Sequence, residues 1–311
     1  MSKTIVITGA SGVIGQSLIR LFKEKNDKVI TFTHQQSNAS NNDTTSLFWD
    51  PKSILSSNHN QELVSALNSA DCIINLAGSS VADGRMGTKH RQKILNSRLE
   101  STLALVKLFE ETPNKPPVWI QASATGYYGD LENTEVDESG PKGNRLLSEV
   151  CEKWENAIST IKDSHSETTR LVIARIGLVL SKDAPAWQRL FLPIKWGLGG
   201  RLGSGSQWWS WIHIDDLVNA FYHFITQKST GIYNLTTPHP IKQSQLVEKI
   251  AKHINRPTIF PTPELLLKLT LGKAANELVL NSAKILPQSL ITEKFNYIYP
   301  TLDKALTELL E

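Results

Sequence analysis

Glycine recurs at a spacing of three near the start of the chain, in the run Gly9-Ala-Ser-Gly12-Val-Ile-Gly15. Such a loop turns tightly and lets backbone N–H groups approach an anion. A helix opening at its end adds unpaired N–H groups and a partial positive charge. The chemistry is the gripping of a phosphate or diphosphate, and Gly9, Ser11, Gly12, Val13, Ile14 and Gly15 are the residues placed to do it. Ser123, Thr125, Tyr127 and Tyr128 form a second group. A hydroxyl can hold a substrate oxygen, and a phenol can move a proton once a cation stabilises its anion. The alternative for the two tyrosines is packed aromatics with their hydroxyls tied to backbone. His213 stands beside Asp215 and Asp216, an arrangement that suits a general base and equally suits the first turn of a helix. Its spacing is no metal signature, and no metal is expected. Arg175 lies inside an apolar run, so its charge must meet a partner or a ligand. Arg85, Arg98 and Arg201 are further cations that can hold an anionic substrate group or form structural ion pairs.

These groups need elements to position them. Thr4–Thr8 is a β-branched run that reads as a strand buried on both faces. After the glycines, Ile14, Leu18, Leu21 and Phe22 mark an amphipathic helix, and Val29–Thr33 reads as a second strand. Strand, loop, helix and strand thus make one βαβ unit. Further strands are expected at Leu47–Trp49, Cys72–Leu76, Val118–Ser123 and Leu171–Leu180. Helices are expected over Thr88–Glu111, with Leu95, Leu99, Leu103 and Val106 on one face, and over Leu146–Ile161. Asp130–Arg145 and the low-complexity run Gln35–Thr45 read as loops. Residues 187–211 hold five of the eight tryptophans and read as an irregular substrate cover, with short helices and brief strands beyond. The alternation predicts an α/β chain with a Rossmann-type, doubly wound parallel sheet and a smaller, mainly helical C-terminal substrate domain. The expected division is residues 1–180, which also receive parts of 205–236, and residues 181–311.

In such a fold the glycine loop takes a dinucleotide. An NAD site usually ends its second strand in Asp or Glu, to accept from the ribose 2′-OH. Here Thr33, His34, Gln35 and Gln36 stand there instead. The missing carboxylate favours NADP(H) over NAD(H), with His34 able to donate to the extra phosphate or to be an ordinary surface histidine. The net charge of +3 gives no footprint for nucleic acid. Cys72 and Cys151 read as reduced, buried thiols. No signal peptide fits the first residues, no apolar run reaches the ~18 residues of a membrane span, and a cytoplasmic location is expected.

The glycine loop, Asn75-Leu-Ala-Gly78 and Ser123-Ala-Thr-Gly-Tyr-Tyr-Gly129 together resemble the extended short-chain dehydrogenase/reductases. The chain is most similar to the atypical "epimerase family" branch of the NAD-dependent epimerase/dehydratases. That likeness also covers Ala82-Asp-Gly-Arg85, Asn96-Ser-Arg98, Trp154-Glu155, Arg175-Ile-Gly-Leu-Val-Leu180 and Trp211-Ile-His-Ile-Asp-Asp216, and runs on through the small C-terminal domain. It implies NADP(H) binding and adds Leu76, Ala77, Gly78 and Arg98 to Thr33 and His34 in the cofactor set. Short-chain reductases use a Tyr-x-x-x-Lys pair with an upstream Ser or Thr. Ser123 or Thr125 can fill the last role, but Leu146 and Val150 take the Tyr and Lys slots, and neither titrates. Tyr127, Tyr128 and His213 are the substitutes; Lys153 reads as solvated.

Two functions are therefore expected. One is an NADP(H)-dependent oxidoreductase or nucleotide-sugar-type epimerase acting on a small polar carbonyl or sugar-like compound, with Arg85, Arg175, Trp211 and His213 as substrate contacts. The other is a non-catalytic NADP(H)-binding redox sensor. Trp208, Trp209 and Trp211 can stack on a flat ligand or form core.

Overall fold

A computed structural model describes residues 2–34, 44–56, 60–81 and 86–311. Strands β1 (Thr4–Thr8), β2 (Lys28–Thr33), β3 (Thr44–Phe48), β4 (Cys72–Asn75) and β5 (Val118–Ala124) alternate with helices α1 (Val13–Glu24), α2 (Pro51–Ser56), α3 (Gln61–Asn68) and α4 (Thr88–Glu111). After β6 (Glu135–Val136) and α5 (Leu146–Asn156) come β7 (Arg170–Ile176), β8 (Leu178–Leu180), β9 (Trp208–Trp209), β10 (Trp211–His213), β11 (Gly231–Leu235), β12 (Ile241–Lys242) and β13 (Lys284–Ile285). Seven strands form one parallel sheet in the order β11-β7-β5-β4-β1-β2-β3. The order reverses between β1 and β4, so a crevice opens at their carboxyl ends, where ligands bind in doubly wound folds.

The sheet's central strands carry apolar residues on both faces because both faces are covered. Ile5, Ile7, Cys72, Ile74, Ile120 and Val172 pack on one side against α1 and the helix Ile214–Thr226. Val6, Ile73 and Trp119 pack on the other against α3 and α4. Both cysteines are buried and free, as read. A separate apolar cluster joins the helices Pro185–Lys195, Gln243–His253 and Leu302–Leu310.

Several local expectations change. The run Leu171–Leu180 is not one strand: it breaks at Gly177, where an added Cβ would lie 2.7 Å from the Ser210 carbonyl oxygen, and β8 leaves to pair with β10. The helix over Leu146–Ile161 is two, Leu146–Asn156 and Ser159–Ser164. The stretch 187–211 is not irregular throughout, since Pro185 starts an eleven-residue helix that buries Trp187 and Ile194. On α4, Val106 is buried as expected but Leu103 is 43% exposed, and the buried stripe also runs through Ile94, Leu105, Leu108 and Phe109. Of the run Gln35–Thr45, Thr44 and Thr45 belong to β3, and 35–43 lie outside the described residues. The loop Asp130–Arg145 contains β6, which pairs with β13.

Candidate active site

The glycine loop joins β1 to α1 at the crevice. Gly9 holds a positive φ of +70°, and a Cβ on it would sit 2.6 Å from the Leu76 backbone. Gly15 abuts Ala10 in the same way, at 2.6 Å, which brings helix and strand together. Gly12 differs: an added Cβ would meet only the Gly9 carbonyl oxygen, at 3.6 Å, with open space beyond. Gly12 caps α1 without a side-chain acceptor, and no acidic residue occupies the first turn. The first N–H groups of an α-helix have no intrahelical partner. This mouth can therefore hold a diphosphate.

A cavity of about 620 Å³ runs from the loop, lined by Gly9, Ser11, Thr33, His34, Ala77 and Gly78 among others. Gly12 and Gly15 shape the helix start, while Val13, Ile14 and Leu76 pack partly into the core. At the far end the His34 ring stacks on Trp49, 6.1 Å between centroids and 26° between planes. Lys23 and Lys52 line that end with Asp50 and Glu100, and Lys52 lies 3.9 Å from Glu100.

A buried polar chain fixes the opposite wall. Thr8 Oγ1 donates to Asn75 Oδ1 at 2.6 Å, and Asn75 Nδ2 donates to Thr102 Oγ1 and Gln121 Oε1, each at 2.9 Å. Trp154 Nε1 donates to the same Thr102 oxygen at 3.0 Å. Buried polar groups are costly unless paired, so this closed set locks β1, β4, β5, α4 and α5 in register behind Ala77 and Gly78.

Arg98 reaches from α4 across Gly78. Its Nη1 donates to the carbonyls of Ser79 and Ile94, each at 3.0 Å, and its guanidinium lies 4.8 Å from the Trp154 ring centre. Among the described residues no carboxylate pairs with it, and burial holds its pKa below the ordinary arginine value. Arg98 also lines a second cavity of about 560 Å³, with Thr125, Gly126, Leu147, Val150 and Cys151. Its side chain also lies against Gly78, which lines the first cavity.

The other expected residues separate into two groups. Thr125 faces the second cavity; its Oγ1 makes only a long bond, 3.4 Å, to the Ile176 carbonyl. Ser123 is buried and donates to Glu155 Oε1 at 2.6 Å. Arg175 is 2% exposed and grips Glu155 through Nε and Nη2 at 2.9 and 2.8 Å. It also donates to Tyr128 Oη at 2.9 Å and stacks 3.4 Å from the Tyr127 ring centre. Burial opposes the Arg175 charge, but the Glu155 carboxylate outweighs it and raises the pKa. Tyr128 is fully buried, donates to Asn234 Oδ1 at 2.8 Å, and is pushed up to about 12 by burial. Arg175, Tyr127 and Tyr128 line neither cavity.

His213 caps the helix Ile214–Thr226, accepting from the Asp215 N–H at 3.3 Å, and its Nε2 meets Glu308 at 3.0 Å. Trp211 is buried, its Nε1 donating to the His239 carbonyl at 3.1 Å. Trp208 and Trp209, by contrast, line the second cavity. Arg85 lies outside the described residues.

The sequence reading missed Glu277. It sits in a π-helical turn, Ala275–Val279, and its Oε2 accepts from the Leu147 N–H at 3.2 Å. It is the one carboxylic acid among the described residues lining the second cavity. No local signal marks it, because its partner is 130 residues away in sequence.

This sheet order, with a glycine-built helix mouth at its point of reversal, defines a Rossmann-type protein of the short-chain dehydrogenase/reductase kind. The chain belongs to the NAD dependent epimerase/dehydratase family, which matches residues 5–236. A domain of unknown function, DUF1731, matches residues 262–309. An epimerase family protein of Staphylococcus saprophyticus is 36% identical over 309 residues, covering 99% of each chain. The human epimerase family protein SDR39U1 (isoform 2), solved with NADPH, is 25% identical with a TM-score of 0.86, covering 98% of each chain. A UDP-N-acetylglucosamine 4-epimerase of Bacillus cereus shares the fold, with a TM-score of 0.72 at 16% identity over 99% of this chain and 98% of its own. Among the described residues no helix is long and apolar enough to cross a membrane, and no cluster of side chains can hold a metal ion.

Proposed function

We propose that this protein is an NADP(H)-dependent oxidoreductase acting on a carbonyl or hydroxyl compound in the cytoplasm. The observation that carries the reading is the pair of cavities lined on either side of the Arg98–Gly78 contact, one opening at the glycine mouth and the other able to take a substrate. The likeness to a human protein solved with NADPH supports the choice of cofactor. So does the end of β2, where Thr33 and His34 replace the carboxylate that would repel a 2′-phosphate.

When bound, the cofactor supplies or accepts a hydride at carbon. Gly9, Ser11 and the N–H groups of Val13 and Ile14 bind its diphosphate; Ala77, Gly78 and Arg98 hold the end nearest the substrate. Thr125 orients the substrate oxygen. Glu277 moves the proton on that oxygen, in place of the Tyr-x-x-x-Lys pair lost at Leu146 and Val150. Epimerisation needs the same hydride steps with the cofactor retained, and the fold shared with a UDP-N-acetylglucosamine 4-epimerase is compatible with that variant of the reaction.

A second reading, a cofactor-binding redox sensor without turnover, is favoured by one observation. Ser123 and Tyr128 are committed to the buried contacts of Glu155, Arg175 and Asn234.

The test is NADPH titration followed by a screen of carbonyl compounds for NADPH oxidation. Glu277→Gln keeps an acceptor for the Leu147 N–H, so it should preserve NADPH affinity while lowering kcat by roughly a hundredfold. Tight NADPH binding without turnover across the panel would select the sensor.

A further inference from the structure

The second cavity is walled predominantly by apolar side chains. Helix α5 contributes Leu147, Val150 and Trp154, and the helix Pro185–Lys195 contributes Trp187, Leu190 and Ile194. The chain leaving the sheet at the Gly177 break adds Leu178 and Leu180, and the far side is closed by Leu267, Val279 and Ile285. A space of about 560 Å³ is the size that receives a whole drug-sized ligand.

Among the described residues the wall carries few charges for a sugar nucleotide. A diphosphate carries two negative charges and needs cations or a helix mouth to receive it. Only Arg98 and Arg189 are cationic among the described residues of this wall. Arg98 is already held by two carbonyls and the Trp154 ring at the cofactor end. The polar groups that remain are few and sit apart. Asn281 turns an oxygen without a partner into the wall, while its Nδ2 donates to the Gly129 carbonyl at 3.0 Å. Glu277, Thr125, Ser210 and Thr262 complete the polar side chains of the wall besides the arginines.

The rim is apolar too. Leu198 is 64% exposed, and Leu271 and Leu278 are each 38% exposed at the cavity's edge. Beside them Leu265 is 70% and Leu269 is 67% exposed on the helix Glu264–Leu271. Leucines exposed together at a cavity mouth are the kind of apolar rim a binding site carries.

We infer that the substrate is a predominantly apolar carbonyl compound or its alcohol, with a long-chain or aryl body in this cavity and one oxygen directed at Thr125 and Glu277. The oxygen function rests on the oxidoreductase reading above; the apolar body rests on the cavity alone. In the reducing direction a hydride from NADPH adds to the carbonyl carbon and a proton adds to its oxygen. The products are the alcohol and NADP⁺.

The test uses the full-length protein and a series of 2-alkanones from 2-hexanone to 2-decanone. Binding is read by calorimetry with and without NADP⁺, and turnover by NADPH oxidation. Each added methylene should tighten binding by about fourfold, while UDP-glucose neither binds here nor competes. Leu190→Asp should remove the chain-length dependence with NADPH affinity kept. Leu278→Asp, at the exposed rim, serves as the variant least able to disturb folding and should weaken the longest ketones most. Affinity independent of chain length, or displacement of the ketones by UDP-glucose, overturns the inference. Ketone binding that rises with length while NADPH fails to bind sinks the oxidoreductase reading and leaves the apolar pocket standing.

Discussion

Arg175 and Glu155 form a two-point pair, Nε to Oε1 at 2.9 Å and Nη2 to Oε2 at 2.8 Å, in the closed interior behind the carboxyl end of the sheet. Ser123, Tyr127 and Tyr128 gather on this pair rather than on a cavity. Residues with the types expected of a reaction centre are thus spent on buried contacts in the interior.

Removing one member of a buried pair strands the other. Arg175→Met should cost about 3–5 kcal/mol of unfolding free energy. Urea denaturation reads this directly, and a loss below about 1 kcal/mol would show that Glu155 finds another partner or water. Replacing both residues with methionine should cost less than the sum of the single changes.

Gly12 and Gly15 should separate binding from folding. Gly12→Asp places a negative charge in the open space at the helix mouth. It should weaken NADPH by about a hundredfold, or ~2.7 kcal/mol, with little change in melting temperature. Gly15→Val would push its Cβ to 2.6 Å from the Ala10 backbone and should lower the melting temperature instead. Unchanged NADPH affinity in Gly12→Asp places the diphosphate elsewhere.

Tyr128→Phe deletes the hydroxyl shared by Arg175 and Asn234. Stability should fall by about 1–3 kcal/mol because both partners remain buried. NADPH affinity and turnover should persist. The phenol stays protonated up to about pH 12, so its ionisation leaves no inflection in the rate profile at neutral pH. Abolished turnover in a folded Tyr128→Phe protein would return this tyrosine to the reaction.

Glu293 supplies a pH-dependent contact. Burial pushes its pKa up, but hydrogen bonds from Tyr233, from Ser229 at 2.7 Å and from His223 at 2.7 Å outweigh that and hold it below its ordinary 4.5. The stabilisation is fully present above 4.5 and is lost as pH falls through the lower folded value. The difference in unfolding free energy between wild type and Glu293→Gln should therefore be full at neutral pH and shrink as pH falls below 4.5. A gap that holds constant to pH 3 would mean that the carboxylate's charge contributes nothing.

Local pattern fixed a good deal. The glycine spacing located the helix mouth, because the turn depends on backbone freedom within seven residues. The alternation of β-branched runs and helical periods predicted the parallel sheet, and Thr88–Glu111 has the expected ends. Periodicity said less about faces: Leu103 is exposed because α4 meets the sheet and α5 along a stripe that its own spacing does not specify. The break at Gly177 was hidden because Leu171–Leu180 is apolar on both sides of it apart from Arg175, and only contact with Ser210 and Thr236 forces the turn.

Which residues face the second cavity was decided by tertiary structure. Its wall draws on segments from Val81 to Ile285, so no local window contains it. Glu277 enters from the C-terminal part to meet Leu147, while Tyr128 turns inward to Arg175 and Asn234. Residue type sets what a side chain can do. Long-range packing sets whether it meets solvent, ligand or a buried partner, since each of those contacts joins residues far apart along the chain.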